Sequence, residues 1–331
     1  MPDRRTTALS AAAIAAVALL SLLFIASYAG ALHEPTPHDV PVAVAEQVPA
    51  ELRATIDASP AIEVKAVADS AAALRAIDRR ESYGAVVPGR SGLTVVVAPA
   101  ASAAIADFLS AQFAAELRQS VRPVHVRTVH PLPDSDTRGL VGFYTVIGWA
   151  IAGYLGATLF GLTFGTSPDR RRTAWRLGAL VVLGLIVGLG GAAIATAIAG
   201  YDHGFALIAL TGLLTVLAIG AVTVALQSLL GILGTGVAIL LFVVFGNPAA
   251  GGPYAGELLP GIWRLGGQLI PTGAATTAVR DAAYFPAAPL TVPLLVIVAW
   301  IVVGAAAALV FGGRGRGLSE GEAKASLAGI G

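Results

Sequence analysis

The chain has 331 residues, of which 56% are hydrophobic and 12% are charged, and its formal net charge is +1. A soluble domain carries about 25% charged residues, so this composition indicates a membrane protein. The absence of cysteine excludes disulfides, thiolate metal sites and cysteine nucleophiles. No basic segment has the length or the interleaved aromatic residues of a nucleic-acid surface, so no nucleic-acid partner is predicted.

Six apolar runs approach or exceed the roughly 20 residues that a helix needs to cross a bilayer core about 30 Å thick. The fourth and fifth runs are separated only by Gln227, Ser228 and nearby glycines, so we expect a tight turn between two helices. None of the six runs contains Asp, Glu, Lys or Arg. The runs are 8–32, 139–165, 177–200, 205–230, 231–246 and 290–312.

Arginine clusters between these runs predict their orientation, because short loops rich in Arg stay in the cytoplasm. With six crossings and a cytoplasmic N-terminus, all three clusters fall on the cytoplasmic side. They are Arg4 and Arg5, then Arg170, Arg171, Arg172 and Arg176, and finally Arg314 and Arg316. We therefore expect a multi-pass protein of the cell membrane, surrounded by membrane lipids, with both termini in the cytoplasm. Its parts would be the N-terminus and first helix (1–32), an inserted domain (33–138), a five-helix domain (139–312) and a tail (313–331).

The first run also has features of a secretory signal, because arginines precede it and Ala29-Gly30-Ala31 forms a small-residue cleavage site. Its apolar part is longer than the roughly 7–15 residues usual in signals, which favours an uncleaved anchor. Cleavage would leave five spans and the same orientation for the rest of the chain.

Residues 33–138 contain most of the Asp, Glu and His of the chain and predict a small extracytoplasmic α+β domain. Alternation in VPVAVA (40–45) predicts a strand, and YGAVVP (83–88) and LTVVVA (93–98) predict two strands joined by a Gly-Arg-Ser-Gly turn. Apolar residues at helical spacing predict a helix over 70–79. A longer amphipathic helix is predicted over 101–120, with Phe108, Phe113 and Leu117 on one face.

Several kinds of catalysis are excluded by missing motifs. A Walker A motif needs a lysine after a glycine-rich loop, and neither Lys65 nor Lys324 has the required glycines. GxSxG and HExxH are also absent, so we expect a protein that is not an enzyme. The five histidines (His33, His38, His125, His130 and His203) lie outside the predicted spans in extended or irregular segments. No metal or cofactor site is predicted, and ion-coupled transport is disfavoured because the spans hold no acidic or histidine relay.

Two glycine pairs have the small-xxx-small spacing that lets membrane helices approach closely, Gly161 with Gly165 and Gly184 with Gly188. Glycine is also common in membrane helices, so this pattern leaves both readings open. The segment with Arg170, Arg171, Arg172, Trp175 and Arg176 has two interpretations as well: charges that only fix orientation, or a docking surface for a cytoplasmic partner.

Residues 247–289 form an apolar series broken by Gly and Pro, followed by a short helix predicted over 273–284 and N-capped at Pro271-Thr272. This pattern predicts a re-entrant helical hairpin before the last span, or alternatively a loop that lies on the surface. Irregular backbone at membrane depth is tolerated only against protein or a water-filled cavity, so a re-entrant pair would line an exit. Its charged residues, which either pair with each other or face that exit, are Glu257, Arg264, Arg280 and Asp281.

The order of one anchor helix, an inserted α+β domain and five further helices resembles the ABC transporter type-2 permeases, in particular their phage-infection-protein branch. The residues that carry the resemblance are YGAVVP in the domain and GNPAAGGPYAGELLPGIWRLGGQLIPTGAATTAVRDAAYF (246–285). The resemblance covers nearly the whole chain and is most specific over 246–284. It adds Asn247, Pro248, Gly251, Gly252, Pro260 and Pro271 to the candidate exit segment.

The resemblance implies the permease subunit of an ATP-driven exporter, which dimerises or pairs with a second permease. The chain would bind no cofactor itself, and ATP would be hydrolysed by a separate nucleotide-binding subunit that contacts the loop 167–176. One alternative is a non-transporting scaffold or secretion accessory protein whose external domain binds a partner. Another is half of a proton-driven exporter of the resistance-nodulation-division type, which the lack of intramembrane Asp and Glu disfavours.

Overall fold

The computed structural model describes residues 4–121, 123–165 and 169–312. The described chain is mostly helical and carries one five-stranded sheet between its first two long helices. Five of its helices are long and apolar enough to cross a membrane. This is consistent with a polytopic helical protein. The sheet domain was predicted as α+β, but its strands alternate with helices and three of its four strand pairings are parallel, which is an α/β arrangement. The predicted tail (313–331) lies outside the described residues.

The five long helices coincide with five of the six predicted runs. Each is apolar over most of its length. In four of them both the first and the last residue lie within a few residues of the predicted bounds. The exception is α7, which begins at Arg170 rather than at residue 177. Both α7 and α1, which begins at Arg4, therefore carry arginines ahead of their uncharged runs. The helices are α1 (Arg4–Leu32), α6 (Val141–Phe164), α7 (Arg170–Ala199), α8 (Phe205–Leu230) and α13 (Thr291–Phe311).

The remaining run, predicted over 231–246, forms a shorter apolar helix, Leu233–Ala249. At about 1.5 Å per residue this helix is about 25 Å long, which is less than the roughly 30 Å of a bilayer core. It consists of α9 (Leu233–Ile239), a π turn (Leu240–Phe245) and α10 (Gly246–Ala249). The structure thus supports five spans by length and composition, and the sixth crossing remains a prediction.

The π turn explains how α1 is attached. Such a turn breaks the regular backbone hydrogen bonds of a helix. The hydroxyl of Ser27 on α1 donates to the Val244 carbonyl at 2.5 Å, and the Trp263 indole nitrogen donates to the Ser27 hydroxyl at 3.3 Å. Among the described residues, α1 is held to the other helices near its C-terminal end, while residues 10–26 are mostly exposed.

The sheet domain (residues 33–138) has strand order β2-β1-β3-β4-β5. The central strand β1 pairs in parallel with both β2 and β3, and its residues are nearly all buried, as expected for a strand covered on both faces. The predicted hairpin of β3 and β4 is antiparallel, and β4 pairs in parallel with β5. The strands are β1 (Val40–Ala45), β2 (Ile62–Val67), β3 (Gly84–Pro88), β4 (Leu93–Val97) and β5 (Val124–Thr128).

Helices cover the sheet and connect its parallel strands. The predicted helix over 70–79 is α3, and the predicted long helix is present with a π turn, Leu109–Phe113, in its middle. Phe113 and Leu117 are buried in the core of the domain, and Phe108 packs against it. Strands β2 and β5 and helix α2 were not predicted. The helices are α2 (Ala50–Asp57), α3 (Ser70–Asp78), α4 (Ala103–Phe108) and α5 (Ala114–Ser120).

The segment 247–289 contains two short helices, α11 (Gly261–Gly266) and α12 (Pro271–Tyr284), as the prediction of two helices broken by Gly and Pro requires. Helix α12 is buried along most of its length and packs against α6, α8 and α13. The segment enters the core of the sheet domain at two places, through Ala255 and Leu258 before α11 and through Phe285 after α12. The segment therefore joins the sheet domain to the bundle of membrane helices.

Only one of the two glycine pairs brings helix backbones together. A Cβ on Gly188 would lie 2.7 Å from the Ala209 carbonyl oxygen of α8, and one on Gly184 would lie 2.8 Å from Leu213. Gly161 instead faces the side chains of Arg176 and Gln227, and Gly165 is the left-handed residue after α6, at φ 90°. The close-packing interpretation therefore applies to Gly184 and Gly188.

This contact predicts that Gly188→Ala destabilises the protein. The added methyl group must push α8 away, and overpacking of this kind costs about 1–3 kcal/mol. Gly190→Ala is the matched control, because a Cβ there meets nothing within 4 Å. The measurement is the thermal unfolding midpoint of both variants in detergent. Equal midpoints for the two variants would contradict the close α7–α8 contact.

Candidate functional site

The predicted site residues fall into two groups at opposite ends of the bundle. The charged residues of segment 247–289 lie where the bundle meets the sheet domain. The arginines 170–176 lie at the other end, which we call the far end, where α6 stops and α7 starts. The structure does not bring the two groups together.

The first group contacts the sheet domain through three polar side-chain pairs. Arg80 donates to the Asp281 carboxylate at 2.5 Å, and the Tyr83 hydroxyl donates to the Glu257 carboxylate at 2.9 Å. Arg264 donates to the Asp39 carboxylate at 2.6 Å. We call this region the junction; it comprises Asp39, Arg80, Tyr83 and His130 of the sheet domain and Glu257, Arg264, Asp281 and Phe285 of segment 247–289.

Backbone strain is concentrated at the junction. Among the described residues, the non-glycine residues with positive φ are Asp39 (47°), Arg80 (55°) and His130 (45°). Each of them contacts segment 247–289: Asp39 and Arg80 through ion pairs, and His130 through its ring, whose centroid lies 4.6 Å from that of Phe285. Left-handed backbone in such residues costs about 1–3 kcal/mol and persists only where surrounding contacts enforce it. At Arg80 a capping turn at the end of α3 enforces it, since the Arg80 N–H donates to the Ile77 carbonyl, and the junction contacts add to this.

The Arg80–Asp281 pair is the buried part of the junction, with side chains that are 13% and 6% exposed. Burial alone would lower the pKa of Arg80, but its acidic neighbours, Asp281 foremost, together outweigh burial and the pKa is raised. Burial together with Glu257 raises the pKa of Tyr83, so this residue is a neutral donor. Burial and the nearby Arg80 lower the pKa of Arg280 to about 10, which leaves Arg280 charged at neutral pH.

These contacts correct one expectation about the segment. Glu257, Arg264 and Asp281 neither form ion pairs with one another nor stand free, because each binds a residue of the sheet domain. Arg280 donates to the Gly251 carbonyl at 3.1 Å and so fixes the loop before α11. An exit lined by this segment remains a prediction.

The glycines and prolines of the segment have packing roles. Gly251 adopts φ 74°, and Gly252 lies against Phe143, whose ring would be 2.3 Å from an added Cβ. Pro260 precedes α11 and Pro271 begins α12, where a missing N–H costs nothing. Asn247 and Pro248 are buried in α10.

Sequence reasoning missed the partners in the sheet domain: Asp39, Asp78, Arg80, Tyr83 and His130. His130 is not a solvated loop residue, because its Nε2 lies 2.8 Å from an Asp78 carboxylate oxygen. No local pattern marks these residues, since their partners lie in distant parts of the chain. Among the described residues, no group of His, Asp and Glu could hold a metal ion.

At the far end, the first turns of α7 present an exposed basic surface. Asp169 caps the helix by accepting from the Arg172 backbone N–H at 2.8 Å. Arg170, Arg171 and Arg172 are exposed, and Trp175 is 66% exposed. A large aromatic side chain this accessible suits a membrane interface or a partner protein. Residues 166–168 of the predicted loop lie outside the described residues.

Arg176 does not belong to this surface, because its side chain is fully buried. Its Nη2 donates to the Ala157 carbonyl at 2.9 Å and to the Gln227 amide oxygen, and its Nη1 donates to the Gly165 carbonyl at 3.3 Å. Gln227 in turn donates to the Thr235 hydroxyl at 2.9 Å. Arg176 thus joins α6, α7 and α8, and through Gln227 it reaches α9.

No carboxylate accompanies this buried cation among its described partners, and helix dipoles account for that. Gly165 follows the last residue of α6, and Gln227 lies in the last turn of α8. The C-terminus of a helix carries a partial negative charge of about half an elementary charge. Two such ends surround the Arg176 guanidinium and offset much of its charge.

The junction predicts that two variants, Arg80→Met and Asp281→Leu, have non-additive effects on the free energy of unfolding. Arg80→Met or Asp281→Leu alone leaves one buried charge without its partner, which should lower the free energy of unfolding by about 3–5 kcal/mol. The double variant should recover most of that loss. Thermal and denaturant unfolding in detergent measure this. Glu63→Gln, at the exposed Lys65–Glu63 pair, is the control and should change stability by less than about 1 kcal/mol. Additive losses in the double variant would contradict a direct pair.

The far end predicts that a buried and an exposed arginine of α7 differ in their effect on stability. Arg176→Met removes charge-assisted hydrogen bonds to α6 and α8 and leaves the Gln227 amide oxygen without its donor, which should cost about 1–3 kcal/mol. Arg171→Met changes an exposed residue of the same helix and should leave the unfolding midpoint unchanged. A midpoint for Arg176→Met at or above that of the unaltered chain would show that the arginine does not hold these helices together.

No family model, no curated protein and no solved structure matches this chain.

Proposed function

We propose that this chain is the membrane-spanning permease subunit of an ATP-driven exporter, energised by a separate ATPase subunit. One observation carries the proposal: an exposed basic and aromatic surface at the start of α7 is tied directly to the bundle by the buried Arg176. A partner that moves this surface would move α6 and α8 with it. An ATPase subunit is the partner that the proposal assigns to this surface.

A continuous chain of contacts leads from the far end to the sheet domain. Arg176 links α7 to α6 and α8, and both of these helices pack against α12. Helix α12 carries Asp281, which binds Arg80 of the sheet domain. Movement at the far end would therefore reach the sheet domain through packed helices and one buried ion pair. Coupling between distant sites requires a physical connection of this kind or a shared two-state element.

The proposal includes an arrangement in the membrane. The arginine-rich far end lies in the cytoplasm, and the sheet domain lies outside the cell membrane. The chain works as a homodimer or with a paired permease, and the resemblance to type-2 permeases supports this. Segment 247–289 would sit beside the outer exit.

The second candidate is a non-transporting scaffold whose sheet domain binds a partner. The junction favours the scaffold, because three side-chain pairs and a buried loop fix the sheet domain to the bundle. A domain that binds a partner without transport needs a firm attachment of this kind. The two candidates differ in their partners. Purification of the full chain from its own membranes in mild detergent should bring down a nucleotide-binding subunit only if the first candidate is right.

The exporter proposal predicts the effect of reversing charge at the far end. Arg170→Glu, Arg171→Glu and Arg172→Glu combined should repel the ATPase subunit and lower the ATP hydrolysis that the permease stimulates by at least about tenfold, equivalent to about 1.4 kcal/mol. ATPase activity of the reconstituted complex measures this. Arg127→Glu, an exposed change on the sheet domain, should leave the activity unaltered. Full stimulation by the triple variant would remove the docking role from these arginines.

A further inference from the structure

A cleft of about 440 Å³ lies beside the junction, between the linker that follows α1 and the long helix of the sheet domain. Its walls include residues 35–37, the half-buried rings of Phe108 and Tyr254, and the charged side chains of Asp107 and Arg138. The volume falls within the roughly 300–1,000 Å³ of small-molecule sites. The lining is thus partly apolar, from the aromatic rings and prolines, and partly charged.

The two charges in the cleft do not neutralise each other. Asp107 and Arg138 form no ion pair in the described part of the chain, and neither side chain has a hydrogen-bond partner there. Both side chains are exposed, and an unpaired cation and anion lining one cleft are complementary to a molecule that carries both signs.

The helix wall of the cleft is irregular. The π turn Leu109–Phe113 interrupts the helix directly after Asp107 and Phe108, and its residues Ala111 and Gln112 line the cleft. Single π turns inside α-helices are frequent at functional sites. Here the turn widens the helix where its side chains face the cleft.

The height of the cleft relative to the membrane suggests what it binds. Residues 35–37 follow α1, which ends at Leu32, and Arg138 precedes α6, which begins at Val141. Both helices are of spanning length. The polar headgroup layer extends about 5–7 Å beyond the hydrocarbon core on each side. A cleft within a few residues of two span ends would lie in that layer.

We propose that this cleft binds the zwitterionic headgroup of a phospholipid that carries a phosphate and a primary ammonium group. The Arg138 guanidinium is suited to the phosphate through paired N–H donors. The Asp107 carboxylate accepts from the ammonium, and the rings of Phe108 and Tyr254 attract a cation over their faces. A lipid is favoured over a dissolved compound because its acyl chains remain in the bilayer beside α1 and α6. The inference does not depend on transport.

The test is native mass spectrometry of the full chain in detergent with short-chain lipids. Dihexanoyl phosphatidylethanolamine should bind with saturation, at least about tenfold more tightly than the phosphatidylcholine and phosphatidylglycerol of the same chain length. Arg138→Gln and Asp107→Asn should each reduce that preference at least fivefold. Arg127→Gln and Glu116→Gln, exposed changes elsewhere in the sheet domain, should leave it intact, and all four variants should keep the unfolding midpoint of the unaltered chain.

Three results would overturn the proposal. Equal affinity for the three headgroups would mean that the cleft does not select a phosphate with a primary ammonium. Binding of free O-phosphoethanolamine as tightly as the lipid would assign the site to a dissolved compound instead of the membrane. Loss of preference in the control variants as well would mean that the selectivity arises outside the cleft.

Discussion

The ion pair between Arg80 and Asp281 is the contact on which the arrangement of the two halves depends. It joins a residue just after α3 of the sheet domain to a residue of α12, more than half the chain away, and both side chains are nearly buried. A buried pair of this kind contributes little net stability over an apolar contact, but either charge alone is costly. It therefore acts mainly on specificity: it disfavours any arrangement of sheet domain and bundle that separates these two residues.

The left-handed backbone at Asp39, Arg80 and His130 lies at the same interface between the sheet domain and the bundle. Each of these residues lies at the border of a strand or helix, and each reaches segment 247–289 from its strained position. Contacts within the sheet domain explain part of this. The N–H groups of Arg80 and Glu81 donate to the carbonyls of Ile77 and Ala76 in a capping turn that ends α3, and His130 binds Asp78. These same turns place the side chains that contact segment 247–289.

Arg176 has a comparable place at the far end. It is a cation in a helix of spanning length, and its partners are carbonyls, an amide and the ends of two helices. This explains why a charge can occur there without a carboxylate, and it separates Arg176 from the exposed arginines before it. The exposed residues provide a surface, and Arg176 provides the connection of that surface to the bundle. The residues with these two roles are close in sequence, but the first are exposed and Arg176 is buried.

The sequence by itself determined the class of protein, five of the helices, and three strands and two helices of the sheet domain. These follow from hydrophobic length and periodicity, which are local properties of the chain. It also located the segment 247–289 and its charged residues. Only the tertiary structure decided the partners of those charges, because Arg80, Tyr83 and Asp39 are distant along the chain and have no distinguishing local pattern. The same reason applies to Arg176, which looks identical in sequence to its exposed neighbours. Strands β2 (IEVKAV) and β5 (VHVRT) are different, because both alternate apolar and polar residues and could have been predicted from that local pattern. Burial and pairing depend on which elements meet, and that is settled by the packing of the whole chain.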